Sequence, residues 1–598
     1  MFNFETLVEL FLHSCREHAH RPLLLAYPDH ESEIVDNVGA NWHRFSPRDM
    51  RTRVEQLMHG LLSLGVKRGE SVGIIATPSP DWLMLDIAIQ LAGGVTVPIF
   101  RKISPESFRH EITDSRMRIL FVGDATELSF VEEHGKTLER KITYGYSAAH
   151  RTYHSLLEEG ARRAKENPEE LERRVRAVKP DDLATIIYTS GSTGLPKGVE
   201  LTQYNIASQI NATSKRFDTD SESDRCISTL PLAHVFERMV VYFYLANGLP
   251  IYFVDDPKML ADYVRAVKPT IMTVVPRILE KVYLRMSEKA SETSGIKGRL
   301  ARAGVERART RTADTRPGLR DRLYGKLVYG KLREGLGGRL RYTICGAAKL
   351  PEHIGRFFVN IGIPVYEGYG MTEASPVIAC NYPGSRRLGT VGKAFPGVEV
   401  RIGEDSEVLA RGANVMRRYH KRPDATAEVL DEHGWLHTGD RGSIDEQGFI
   451  TIEGRKKELF KKSTGEYVPP GPIEAALQQH DFVDVAVIFA DNRVHVTALL
   501  FPDMEKLAAV KRRLGCEYMS DEDFLRSNTL RADLQSHVDE VNEHRHKSEQ
   551  IARFELMHHA ASAESGDLTP TMKVRRFHIE KSYADIIEQM YAGIPGWK

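Results

Sequence analysis

From Ser71 to Gly368, short apolar runs of strand length alternate with segments of helical spacing. SVGIIA (71–76) is followed by Asp81 to Leu91, where apolar residues recur at helical intervals, and then by VTVPIF (95–100). PIYFV (250–254), Pro257 to Val267 and TIMTVV (270–275) repeat the order. Strand, helix, strand at this separation implies right-handed crossovers between parallel strands. The runs are apolar at nearly every position, which suits a sheet covered on both faces. The expectation is an α/β protein.

Residues 385–455 differ: they are rich in Gly and in short β-like runs such as VEVRI and GFITIEG, the pattern of a small β subdomain. After Gly454 comes the charged run RKKELFKK, and the chain beyond it is more helical and more polar. A boundary near Arg455 to Lys457 therefore divides residues 1–455 from 456–598. With 598 residues, 41% of them hydrophobic, the chain can bury enough apolar surface to fold into several such units.

The 82 basic and 82 acidic side chains cancel, which disfavours a nucleic-acid partner held by bulk charge. Cys15, Cys226, Cys345, Cys380 and Cys516 have no zinc-ligand or C-x-x-C spacing, so neither a metal knuckle nor a disulfide framework is expected. That usage fits a reducing cytosol. MFNFETLVELFLHSC lacks a basic n-region and is not read as a signal peptide. Met239 to Val254 is the most apolar stretch, but Asn247, Gly248 and Pro250 interrupt it, so it reads as a core helix followed by a strand. Lys297 to Arg341 is lopsided, with 14 Lys or Arg against 4 Asp or Glu. Either it is a solvated helical face, or it leans on anionic lipid headgroups or attracts an anionic substrate.

ATIIYTSGSTGLPKGVELT (184–202) carries the strongest chemical signal. An apolar strand, Ala184 to Tyr188, runs into a loop containing Thr189, Ser190, Gly191, Ser192, Thr193, Gly194 and Lys197, and a helical pattern begins near Thr202. The glycines allow close backbone approach to a ligand, the hydroxyls and bare amides offer donors to phosphate oxygens, and Lys197 adds a positive charge. The Walker pattern is absent, since Lys197 follows Pro196 and precedes Gly198. Two further loops leave successive strands. LRYTIC (340–345) ends at Gly346-Ala347-Ala348, with Pro351 suited to open a helix running to about Asn360. IPVYEG (363–368) leads into Tyr369-Gly370-Met371-Thr372-Glu373. In a parallel sheet both loops emerge at the carboxyl edge, where open α/β sheets bind ligands. There Gly368 and Gly370 open space, Tyr369 offers a stacking face and Glu373 a hard oxygen ligand.

Taken in order, YTSGSTGLPKG, EGYGMTE, GWLHTGD (434–440), GRKKELFKKSTGEY (454–467) and LTPTMK (568–573) resemble the motifs of the adenylate-forming superfamily. That superfamily contains acyl-CoA synthetases, luciferases and the adenylation domains of peptide synthetases; GRKKELFKKSTGEYVPPGPIE and LTPTMKVRR are most similar to its long-chain fatty acyl-CoA synthetases. The resemblance spans nearly the whole chain. It implies a large N-terminal domain of two parallel-rich α/β sheets plus a small β-barrel-like subdomain, followed by a small mobile α+β C-terminal domain. It also implies ATP, Mg2+ and coenzyme A as cofactor and co-substrates, and a two-step ligation through an acyl-adenylate.

On the same resemblance, Thr189 and Glu373 hold magnesium while residues 189–197 grip the β- and γ-phosphates. Gly346, Gly368 and Tyr369, with Gly370 and Thr372, line the adenine side. Asp440 accepts from both ribose hydroxyls, Arg455 also reaches the ribose, and Lys461 contacts the nucleotide. Lys573 bridges the carboxylate and the α-phosphate region, and His234, in PLAHVFERM (231–239), stands near the adenylate carbonyl. Lys457 matches the hinge about which the C-terminal domain turns, and Gly465 lies on the face presented for thiolation. The chemistry fits independently: a carboxylate is already ionised at neutral pH, so the first step needs fixed cations more than a strong base.

Several positions depart from the family pattern. Gln203 stands where many relatives have His; Thr464, Glu466 and Gly471 alter the coenzyme A turn; Ala347 and Lys349 replace the usual Gly and Pro after Gly346. The expected activity is a long-chain fatty acid–CoA ligase, cytoplasmic or peripheral on the inner face of a membrane through residues 297–341. A second copy of the chain is a further candidate partner. The alternatives are an acyl-AMP ligase loading a carrier-protein thiol, a non-catalytic nucleotide or lipid sensor, and a phosphotransferase that makes ADP.

Overall fold

The computed structural model describes residues 3–28, 42–145, 147, 149–189, 195–313, 315, 318–456, 460–569 and 572–592. Two large sheets dominate. In the first, Leu25–Pro28, Ile251–Phe253, Cys226–Ser228, Ile271–Val274, Tyr342–Cys345 and Val365–Gly370 are parallel neighbours in that order. Antiparallel strands finish both edges, Trp42–Phe45 on one side and Val377–Cys380 with Lys393–Ala394 on the other. In the second sheet Arg151–Thr152, Arg140–Thr143, Ile119–Val122, Ser71–Ile75, Val95–Pro98 and Leu183–Thr189 are parallel neighbours, followed by antiparallel Lys197–Thr202 and Arg418–Tyr419.

The pleat explains why the strands are apolar throughout. In each strand alternate residues feed different cores. Ile74, Ile187, Ile271 and Ile344 join one core between the two sheets. Their neighbours face outward: Ile75 and Ile186 pack with Phe108 and Ile112, Met272 and Cys345 with Leu279 and Phe357. The central layer is helical. Helix Pro80–Leu91 starts at Ser79, whose side chain accepts from Trp82 N–H, and is buried from Trp82 onward. Helix Val235–Ala246 is buried along its whole length. A helix apolar on all sides needs cover on all sides, and here both sheets supply it.

One charged network lies inside that layer. Arg238, 1% exposed, grips both oxygens of Asp86, which is fully buried. Tyr242 Oη and Thr96 Oγ1 each donate to Asp86 at 2.7 Å. The carboxylate thus pins the two central helices and the second sheet to one another.

Val398–Ile402, Glu407–Gly412, Leu436–Ile444 and Ile450–Arg455 form a separate antiparallel sheet of four strands. After it, Phe460–Lys461 pairs with Tyr467–Val468, and Val483–Phe489, Val496–Pro502 and Ile551–Leu556 make a three-stranded sheet with a core on each face. Those two cores draw only on residues from Phe460 onward, and the cores of the large sheets only on residues up to Leu436.

The fold is the expected mixed α/β type with parallel-rich sheets, and the strands expected at 71–76, 95–100, 250–254, 270–275, 340–345 and 363–368 are all present. Three local details differ. Between the phosphate loop and the helix lies the strand Lys197–Thr202, so the loop spans a hairpin; Thr202 does cap helix Gln203–Thr213, with Asn205 closing the capping box. Pro351 caps helix Glu352–Asn360 from outside its first turn. Strand Val365–Gly370 carries Tyr369 and Gly370, because its far end pairs with Val377–Cys380. All five cysteines are free and buried. Among the described residues no helix is long and apolar enough to cross a membrane.

Candidate active site

The hairpin of the second sheet closes on the pair Thr189 and Lys197, which face each other across its two strands. Ser190, Gly191, Ser192, Thr193 and Gly194 lie outside the described residues. The far side of the hairpin is held by His110, whose Nε2 is 2.9 Å from the Pro196 carbonyl. Lys197 Nζ sits 5.1 Å from the centre of the Tyr419 ring, a cation–π distance. Tyr419 is on the edge strand beside Val199 and donates its hydroxyl proton to Glu373 Oε1 at 2.7 Å. Burial, then the Glu373 charge, pushes that phenol up in pKa, so it remains a donor. Glu373 is 7% exposed and occupies the turn Thr372–Ala374 that follows Gly370. One tyrosine therefore links the lysine of one sheet to the carboxylate of the other.

The same strand end makes a second junction. A Cβ on Gly370 would fall 1.8 Å from the Pro376 carbonyl oxygen, so only glycine fits there. Tyr369 donates to Asp440 Oδ2 at 2.6 Å. Burial, followed by that carboxylate, raises the Tyr369 phenol well above its ordinary pKa. Asp440, 6% exposed, faces Arg455 across the small antiparallel sheet, with Arg455 Nε 3.3 Å from Oδ1. Gly368 stands beside Tyr369, and a Cβ there would make only ordinary van der Waals contact, 3.5 Å from Cys380 Sγ.

Gly346 ends strand Tyr342–Cys345, and a Cβ there would meet the Phe236 ring at 3.2 Å. The next residue, Ala347, has φ of +74°, in the left-handed region that favours glycine. Phe236 belongs to the first turn of helix Val235–Ala246, which His234 caps by accepting the Phe236 N–H at Nδ1, 3.2 Å away. The His234 imidazole is lowered to about 4 by burial and, second, by the Lys573 ammonium. Lys573, an exposed residue, thus brings its ammonium near enough to His234 to act on it. Its own backbone is tied into a turn: Thr569 N–H donates to the Lys573 carbonyl at 2.7 Å, and Lys573 N–H to Thr569 Oγ1 at 3.0 Å. Ion pairs Arg277–Asp484 and Lys102–Glu564 also cross between the earlier and later parts of the chain.

Lys461 and Gly465 are not part of this assembly. They lie on the hairpin Phe460–Lys461 and Tyr467–Val468, where Gly465 takes φ of +88° and has open space around its Cβ position. That turn is anchored within the later part of the chain by Ser463 N–H to the Arg493 carbonyl and Lys462 Nζ to the Ser548 carbonyl. Lys457 lies outside the described residues.

Two residues of the cluster have no signal in the sequence. Tyr419 sits in an edge strand of two residues, Arg418–Tyr419, too short to show periodicity. Phe236 reads as ordinary core until the fold sets it against Gly346.

Residues 17–420 match the model of the AMP-binding enzyme family. The chain belongs to that family. This AMP-binding enzyme also matches the family's C-terminal domain over residues 458–594. Long-chain-fatty-acid–CoA ligase FadD15 of Mycobacterium bovis is 33% identical over 569 residues, 93% of each chain. Long-chain-fatty-acid–CoA ligase 1 of Cavia porcellus is 30% identical, over 88% of this chain and 78% of its own. These matches place the enzyme in the adenylate-forming superfamily, on the fatty acyl-CoA synthetase branch. The adenylation domain of a carboxylic acid reductase from Segniliparus rugosus, solved with AMP and a co-purified carboxylic acid, shares the fold with a TM-score of 0.73 at 22% identity, covering 98% of this chain and 94% of that one.

Proposed function

We propose that the enzyme joins a long-chain fatty acid to coenzyme A at the expense of ATP. The fatty carboxylate oxygen attacks the α-phosphorus, and the bond to pyrophosphate breaks. The coenzyme A thiol then gives up its proton and attacks the acyl carbonyl carbon, and AMP leaves with the electron pair. The observation that supports this reading most is the approach of Lys573, from the far end of the chain, to His234 beside Gly346.

In this reading Lys197 and the 189–197 loop take the terminal phosphates. Tyr369, Gly346, Gly368, Gly370 and Thr372 flank the base, and Asp440 with Arg455 takes the ribose, where an ionised acceptor suits two hydroxyl donors. Lys573 joins carboxylate and α-phosphate, and neutral His234 faces the acyl carbonyl. Glu373 and Thr189 fit magnesium: both are hard oxygen donors, Glu373 is a buried carboxylate linked to Lys197 through Tyr419, and a cation carried largely by phosphates and water needs few protein ligands. Bound there, it would neutralise charge developing on the phosphates.

Residues 1–455 form the adenylation core in this proposal, and 456–598 a unit that turns about Lys457. The turn withdraws Lys573 after adenylation and brings Gly465, with Lys461 nearby, to the site for thiolation. One observation favours a second acceptor. Thr464 Oγ1 donates to Glu466 Oε2 at 3.1 Å and Lys462 Nζ stands 3.6 Å from the same oxygen, which holds a carboxylate beside Gly465 where polyanionic coenzyme A would pass. A carrier-protein phosphopantetheine arm meets that charge with fewer phosphates.

Exchange of labelled pyrophosphate into ATP, measured across acids of increasing chain length, tests the first step. Exchange that depends on a long aliphatic acid is expected; none with any carboxylate, or ADP as product, would refute it. Acyl-CoA formed with coenzyme A alone distinguishes coenzyme A from a carrier.

A further inference from the structure

The helical run Leu319–Tyr324, Gly325–Tyr329 and Gly330–Glu334 contributes nothing to the nucleotide cluster. Its inner side is anchored. Asp321, Val328 and Tyr329 are buried, and Asp321 takes Arg307 Nε at 2.8 Å and Arg311 Nε at 3.4 Å. Its outer side presents Leu319 at 85% exposure, Leu323 at 52% and Leu327 at 48%. The three leucines are spaced i, i+4, i+8, and although Gly325–Tyr329 is wound as a π-helix, their shared exposure opposite buried Asp321 and Val328 makes them one outer stripe. Arg320, Arg322 and Lys326 stand next to these leucines in the chain, and Lys331 follows on the next turn. None of these four cations has an ion-pair partner among the described residues. Ile296, 82% exposed, lies in the first turn of the preceding helix Gly295–Thr310.

Apolar side chains aligned and uncovered mark a surface that something else covers. The rim decides what. A second copy meeting this face about a two-fold axis would set cations against cations. The one acidic residue between Leu319 and Lys331 is Asp321, which is turned inward. Long cationic stems flanking leucines are the arrangement by which a helix lies in a bilayer interface, its charges reaching back to headgroup phosphates.

We infer that the Leu319–Leu323–Leu327 stripe seats the enzyme on an anionic lipid surface. The inference goes beyond the ligase reading and does not depend on it. The full-length protein is sedimented with phosphatidylcholine vesicles, with or without about one third phosphatidylglycerol. It should pellet with the anionic vesicles, stay in solution with the neutral ones, and release as salt rises to about 0.5 M. L319E/L323E/L327E and, separately, R320E/R322E/K326E should each weaken partitioning by at least about tenfold. The thermal unfolding midpoint should stay at the wild-type value in both, which certifies the fold. Wild-type protein left in the supernatant with anionic vesicles, or variants that bind as well as wild type, would overturn the inference. So would a wild-type dimer that L323E splits.

Discussion

Tyr369 and Asp440 are 2.6 Å apart through a hydrogen bond that joins the end of the nine-stranded sheet to the small antiparallel sheet. The partner strand adds Arg455 on the other carboxylate oxygen. On the proposed reading, this carboxylate, fixed from two sides, is a preorganised acceptor for the ribose hydroxyls. Asp440→Ala should raise the ATP KM by about ten- to a hundredfold, the range of a hydrogen bond to a charged group. Tyr369→Phe, which leaves Arg455 in place, should raise it less. Titration calorimetry with AMP reads both effects directly.

The Asp86–Arg238 pair has no exposed edge. Removing one partner leaves a buried, uncompensated charge, so Asp86→Ala should destabilise the chain by about 3–5 kcal/mol. Urea unfolding measures it. Replacing both residues by apolar side chains should cost less than either single change.

Ala347 occupies a left-handed conformation with φ of +74°, which costs a non-glycine residue about 1–2 kcal/mol. Glycine removes that strain but gains freedom in the unfolded chain, worth about 0.4–1 kcal/mol. Ala347→Gly should therefore stabilise by about 0.5–1 kcal/mol, seen as a small rise in Tm, and Ala347→Val should lower it.

Burial raises the Glu237 carboxyl to about 7 from an ordinary value of 4.5, although Ser228 Oγ and Thr273 Oγ1 donate to it at 2.6 and 2.8 Å. The folded state then binds the proton more tightly than the unfolded state. The stability linked to it is complete below about pH 4.5 and is lost as pH rises through 7. Glu237→Gln should raise Tm at pH 8 more than at pH 5, and the Tm–pH curve of the variant should be flatter.

Much of this architecture is legible in the amino-acid order, because runs such as SVGIIA and TIMTVV can be satisfied only by a sheet covered on both sides. The motif residues are legible for a different reason: Gly370 has no room for a side chain, and Asp440 is the last residue of the GWLHTGD string. The connections between motifs are not. Tyr419 couples Lys197 to Glu373, and Phe236 packs on Gly346, across more than 100 residues of chain. Such contacts depend on sheet order, which local pattern does not encode. The leucine stripe was hidden similarly, since only burial of Asp321 and Val328 reveals which side of that helix faces out.

The account rests on Lys573 acting in the first step only. The decisive measurement compares Lys573→Ala with wild type in two separate partial reactions, acid-dependent pyrophosphate exchange and conversion of supplied acyl-adenylate to acyl-CoA. Exchange should fall by about a hundredfold or more, the scale of one preorganised charge at a transition state, while thioester formation stays within a few-fold of wild type. Equal loss of both, or unimpaired exchange, would contradict it.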